Sequence, residues 1–185
     1  AEFLDVGIVG RGPGPGRERT RFYVSGAARE RVLELHAPEI ELVDLGAEIG
    51  TASALKMAYS SLNKGTDALL ATVLVAAERL GVRAPLMREL AGSQAEALKR
   101  MRARVPFLGS TAKRYAPEMA EIAATYSSVG VTPEFHRGAE WLYALLATTP
   151  YAAETRATQP RERSLDEAVA VYAAAVTSAA AAQGA

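Results

Sequence analysis

Gly46-Ala47-Glu48-Ile49-Gly50-Thr51-Ala52-Ser53-Ala54-Leu55-Lys56, with the periodic run that continues to Gly81, decides how this chain reads. Two glycines and a set of small residues open a helix predicted over 50–80, and Gly81 stops it. Leu55, Tyr59, Leu62, Leu69, Val73 and Leu80 recur at spacings of 3, 4 and 7 and trace an apolar stripe. Lys56, Ser60, Asn63 and Asp67 form a polar stripe beside it. At 1.5 Å per residue this helix runs about 45 Å, longer than a small domain needs.

Upstream the periodicity changes from helical to extended. Residues 3–9, 20–24 and 39–45 read as three short strands, with a short amphipathic helix over 27–36 between the second and third. Downstream, helices are predicted over 85–91, 93–104, 113–128, 133–148 and 164–182, separated by Pro106, Gly130, Pro133, Pro150 and Pro160. Thr132 and Ser164 have the character of helix N-caps. The fold class is therefore mainly α. A long central helix sits in a helical bundle (47–185), preceded by a small β segment of about three strands (1–46).

The composition closes off several functions. The 21 basic and 21 acidic residues cancel, leaving no electrostatic footprint for nucleic acid or an anionic membrane. There is no cysteine, so a disulfide, a thiol nucleophile or a cysteine-held metal is excluded, and His36 and His136 are too few for a histidine metal site. No apolar run is long enough for a membrane span, and no secretory leader pattern opens the sequence. The chain enters a buried-type strand almost at once, which is expected of a segment that follows something else. With 38 alanines and few aromatic residues, the helices should pack closely.

Gly10-Arg11-Gly12-Pro13-Gly14-Pro15-Gly16 follows a strand but is not a dinucleotide fingerprint. Proline stands where the third glycine belongs, and a strand follows instead of a helix. His136 reads as a partly exposed structural residue, and His36 as a helix-end residue. Trp141, Leu142, Leu145 and Leu146 read as core or dimer interface. Arg100, Arg102 and Arg104 with Lys99 form either a solvated face or an anion contact, and Arg161-Glu162-Arg163 reads as loop.

Lys56 is the residue with the most chemical promise, because a lysine approached closely by other groups can exchange protons near neutrality. The stretch from Gly46 through Lys56 to Tyr59, with Asn63-Lys64-Gly65 after it, resembles the β-hydroxyacid dehydrogenase superfamily. It is most similar to the 6-phosphogluconate dehydrogenase-like branch, with its helical C-terminal domain. Lys113 through Gly130 resembles a later helix of that family.

The resemblance implies that the β segment is the end of a Rossmann domain and that Lys56 is the catalytic general acid and base. Ser60, Asn63, Gly10, Arg11 and Lys113 would contact substrate, and Lys113 the cofactor as well. It further implies NAD or NADP held mainly by a domain outside this chain, no metal, a small hydroxy acid as substrate, and a cytoplasmic homodimer. The sequence departs from the family pattern at three places. Ser60 replaces an asparagine, Val9 replaces the serine of a substrate-binding Ser-Gly-Gly, and Arg114 replaces an aspartate. A non-catalytic helical dimerisation or ligand-binding module is the alternative.

Overall fold

The computed structural model describes residues 2–10, 12, 18–35, 38–155 and 157–183, and the chain divides into two compact units, 1–62 and 63–185. In the first, strands β1 (Asp5–Val9), β2 (Thr20–Ser25) and β3 (Ile40–Asp44) form a sheet in that order. β1 runs antiparallel to β2, and β2 parallel to β3. Along β1, Gly7 and Val9 are buried while Val6 and Ile8 are exposed, the period of two expected of a half-covered strand. The helix expected over 27–36 is a single turn, α1 (Glu30–Leu33), with no side chain capping its start. So short a helix has too few internal bonds to persist alone. It is held beside β3 by Arg29, whose Nε lies 3.0 Å from Asp44. His36 lies outside the described residues.

Helix α2 (Thr51–Arg79) is 29 residues long. Gly46 (φ +89°) and Gly50 (φ +94°) make the turn before it, and the Gly46 N–H donates to Asp44 Oδ1 at 2.8 Å. Its first turn is seated on β1 by two features. The Asp5 carboxylate accepts from the Ser53 N–H (2.9 Å) and the Ser53 hydroxyl (2.5 Å), while the Ser25 hydroxyl also donates to it (3.2 Å). Gly7 lets the strand and helix backbones approach: a Cβ there would lie 2.4 Å from the Ala52 carbonyl oxygen. At the other end Gly81 (φ +71°) follows the helix and the Val82 N–H donates back to the Ala77 carbonyl at 2.9 Å, a Schellman-type stop.

The second unit is helical: the end of α2, then α3 (Arg83–Ser93), α4 (Ala95–Arg104), α5 (Leu108–Ser128), α6 (Glu134–Leu146) and α7 (Leu165–Gln183). Leu74, Leu108, Met119, Ile122, Leu142, Leu146, Tyr143, Tyr172 and Val169 are fully buried and make the core. α5 starts five residues before Lys113, over glycine, serine and threonine that favour helix weakly. Tertiary contacts compensate. The Gly109 N–H donates to Tyr172 Oη at 3.0 Å, and the Tyr172 hydroxyl donates to the Val105 carbonyl at 3.2 Å. Burial pushes the Tyr172 hydroxyl up to about 12 against the pull of the Gly109 N–H.

Ser164 caps α7 as expected, its Oγ accepting from the Glu167 N–H at 3.0 Å. α6 starts a residue later than a Thr132 cap requires. Thr132 Oγ1 is 3.4 Å from the Glu134 nitrogen, and the Pro133 carbonyl accepts the first intrahelical bonds instead. One side-chain expectation changes, that of His136, while residues 161–163 are loop as expected. His136 is only 4 % exposed, packed against the Tyr126 ring at 4.4 Å between centroids. Trp141 is 51 % exposed, while Leu142, Leu145 and Leu146 are core. Arg163 is buried: it pairs with Glu154, donates to the Pro106 carbonyl at 2.9 Å, and stacks 3.6 Å from the Tyr151 ring centroid.

Three stability measurements test this account. Gly7→Ala should cost about 1–3 kcal/mol in urea unfolding, the usual penalty of overpacking. Burial alone would raise the Asp5 carboxyl, but the bonds from Ser53, Ser25 and Gly50 outweigh it and hold the group below the usual aspartate value. Its contribution is thus complete above the unfolded pKa of about 4 and lost as pH falls through the folded value. Asp5→Ala should cost about 1 kcal/mol at pH 7, as loss of a helix cap does, and progressively less as pH falls through the folded value. Burial lowers the pKa of His136, so below about 6.5 the unfolded chain binds the extra proton first. Stability should therefore fall with pH from there through the folded value, and the slope should flatten in His136→Phe.

Candidate functional site

Lys56 lies in the second turn of α2, exposed, and Ser60 follows one turn later, half-buried. The seating of the helix on β1 determines where this lysine starts: a Cβ at Gly7 would stand 3.3 Å from Lys56 Cβ. Lys56 therefore starts beside the close approach of strand and helix and is exposed. Gly10 ends β1 at φ +115°, a conformation that side-chain-bearing residues rarely adopt. Arg11 lies outside the described residues. Val9, which stands in place of a serine, is buried and packs in the first unit.

Asn63 and Lys113 belong to the second unit. The Asn63 carbonyl accepts from Arg100 Nη2 at 2.9 Å, and Lys113 is exposed on α5. Pro117 is inside α5 and has no N–H, so the usual bond back to the Lys113 carbonyl is not made. Arg114 pairs with Glu118 at 3.2 Å and lies 4.7 Å from the Tyr115 ring centroid. Lys64 pairs with the same glutamate and lies 5.2 Å from the same ring. The Tyr143 hydroxyl donates to the Lys64 carbonyl at 2.8 Å and is pushed up by burial and by Asp67.

Asp67 breaks the expectation of a solvated polar stripe. It is 1 % exposed, and Arg100 Nε (2.8 Å) and Arg104 Nε (3.0 Å) each take one of its carboxylate oxygens. Burial works against the charge of Arg104, but the Asp67 carboxylate outweighs it and raises the pKa. Sequence reasoning also overlooked Asp5, Gly7, Ser25 and Ser53. Asp5 and Ser53 are 48 residues apart, and nothing local marks either as the other's partner.

Among the described residues no group of three or more His, Asp or Glu is placed to hold a metal ion. A dinucleotide pyrophosphate needs the open N–H groups of a helix N-terminus beside glycines. The N-terminus of α2 carries the Asp5 carboxylate, and α1 is one turn long, so neither helix start beside the strands fits a dinucleotide cradle. No helix among them is long and apolar enough to cross a membrane.

Residues 77–146 match the model of a domain of unknown function, DUF1932. No curated protein matches the chain. A conserved hypothetical protein from Sinorhizobium meliloti 1021 matches 94 % of this chain at 28 % identity and a TM-score of 0.69. The conserved protein MTH1747, of unknown function and described as structurally similar to 3-hydroxyacid dehydrogenases, matches 78 % at 28 % identity and a TM-score of 0.58. The chain spans 57 % and 58 % of these two structures. Residues 77–146 thus match DUF1932, the C-terminal domain of 3-hydroxyacid dehydrogenase-like proteins, and the chain is similar in fold to that group.

Proposed function

We propose that this chain is the catalytic C-terminal part of an NAD(P)-dependent β-hydroxyacid dehydrogenase-like oxidoreductase, acting on a small hydroxy acid or the corresponding carbonyl compound. The observation that carries this reading is Lys56, exposed and starting beside the close approach of β1 and α2, in a fold shared with a protein described as similar to 3-hydroxyacid dehydrogenases. The nicotinamide dinucleotide belongs to a domain outside this chain and supplies hydride transfer when bound. What this chain contributes is the proton. The Lys56 amine takes it from the substrate hydroxyl during oxidation and returns it to the carbonyl oxygen in the reverse direction. Ser60 offers a hydroxyl on the same helix face, with a shorter reach than an asparagine. Gly10 and Arg11 offer backbone and guanidinium donors to a carboxylate, and the same family resemblance implies substrate contacts for Asn63 and Lys113.

The protein would act as a cytoplasmic homodimer. Tyr59, Leu62 and Leu69 on α2, and Leu80 just after it, are all exposed, which supports a second copy against this helix. The same residues favour the alternative, a dimerisation or ligand-binding module that retains the fold without the chemistry.

Lys56→Met in the complete protein, Rossmann domain included, decides between them. The dehydrogenase reading expects kcat to fall by about 10²–10⁴, the usual worth of a general acid–base group, with cofactor affinity unchanged. Retained turnover would remove Lys56 from the mechanism.

A further inference from the structure

Arg100 and Arg104 stand one turn apart on α4, where like charges repel. Both point a guanidinium Nε at the same carboxylate, that of Asp67. A buried carboxylate calls for a cation, and one arginine satisfies that need. The second leaves surplus positive charge at this spot. Each guanidinium carries five N–H donors in a planar fork. Asp67 takes only the Nε edge of each, while Arg100 gives one further bond to the Asn63 carbonyl and Arg104 reaches the Tyr115 hydroxyl. The two side chains remain 36 % and 49 % exposed and line a hollow of about 420 Å³ together with Asn63, Lys99 and Glu96.

We propose that Arg100 and Arg104, oriented by the buried Asp67, form a binding site for the carboxylate or phosphate group of a small molecule. A guanidinium held by its Nε edge is pre-ordered, so its remaining N–H groups engage an oxyanion with less loss of freedom. Three cations against two carboxylates line the hollow, and the buried Asp67 spends its charge on the arginines it aligns. The hollow is within the size range of small-molecule pockets. All these residues lie in the second unit, so the site stands whether or not Lys56 is catalytic.

The test follows the arginine Nε–H resonances of the full chain by NMR while inorganic phosphate or malonate is titrated against chloride at equal ionic strength. The Arg100 and Arg104 signals should shift and saturate, and exposed Arg88 should not respond. Saturation by phosphate alone assigns a phosphate group, and saturation by malonate assigns a carboxylate. Glu96 and Lys99 are exposed on the rim, so their variants keep the fold. Affinity should rise about threefold in Glu96→Gln and fall about threefold in Lys99→Gln, as for a unit charge several ångströms away in water. Arg104→Gln should abolish saturation, and Arg104→Lys, which keeps a cation beside Asp67, should weaken it. A response that never saturates, that chloride reproduces, or that ignores both rim substitutions would overturn the proposal.

Discussion

The carboxylate of Asp5 at the start of α2 is the contact on which the first unit depends. A helix begins with N–H groups that have no internal partner, and its dipole presents positive potential there. Asp5 answers both needs from a neighbouring strand, accepting from the Ser53 amide and hydroxyl. The bond forms only because Gly7, two residues along β1, has no side chain to hold the backbones apart. Lys56 comes one turn after Ser53, so its position is set by a carboxylate and a glycine from a neighbouring strand. The same carboxylate occupies the helix end that a dinucleotide-binding unit would leave open to a pyrophosphate.

The second unit uses the same device with different partners. Two of its aromatic residues lie against glycines. Phe135 Cε1 would lie 3.0 Å from a Cβ at Gly65, and Tyr151 Cβ 2.6 Å from one at Gly109. An alanine-rich chain has little bulk with which to fill a core, and the fully buried Tyr143 and Tyr172 supply it at close-packed density. Their hydroxyls then reach backbone groups, as Tyr143 does with Lys64 and Tyr172 with Val105. Asp67 adds a buried charge to this apolar surrounding, and two arginines from α4 are the response.

The three departures from the family pattern acquire a physical character. Val9 serves packing, since it is buried. Arg114 makes an ion pair within its own helix, leaving Lys113 exposed beside it. Ser60 stands half-buried one turn beyond Lys56, where a hydroxyl can still donate and accept. Each is accommodated while leaving the helix that carries Lys56 intact.

The sequence by itself determined the elements: three strands, a long helix bounded by Gly50 and Gly81, a helical remainder, and the identity of Lys56 as the chemically promising residue. These follow from periodicity and turn chemistry, which act over a few residues. The glycine loop after β1 was legibly not a dinucleotide fingerprint for the same reason. Only the tertiary structure decided which side chains are covered. His136 and Arg163 are buried although each stands beside polar or helix-start residues, because aromatic rings from distant segments close over them. Asp67 reads as one more member of a polar stripe until α4 brings two arginines to it from 33 and 37 residues away. Asp5 and Gly7 read as parts of a strand until α2 packs against them. Burial and pairing across such separations depend on how elements pack in space, and no local pattern in the chain records it.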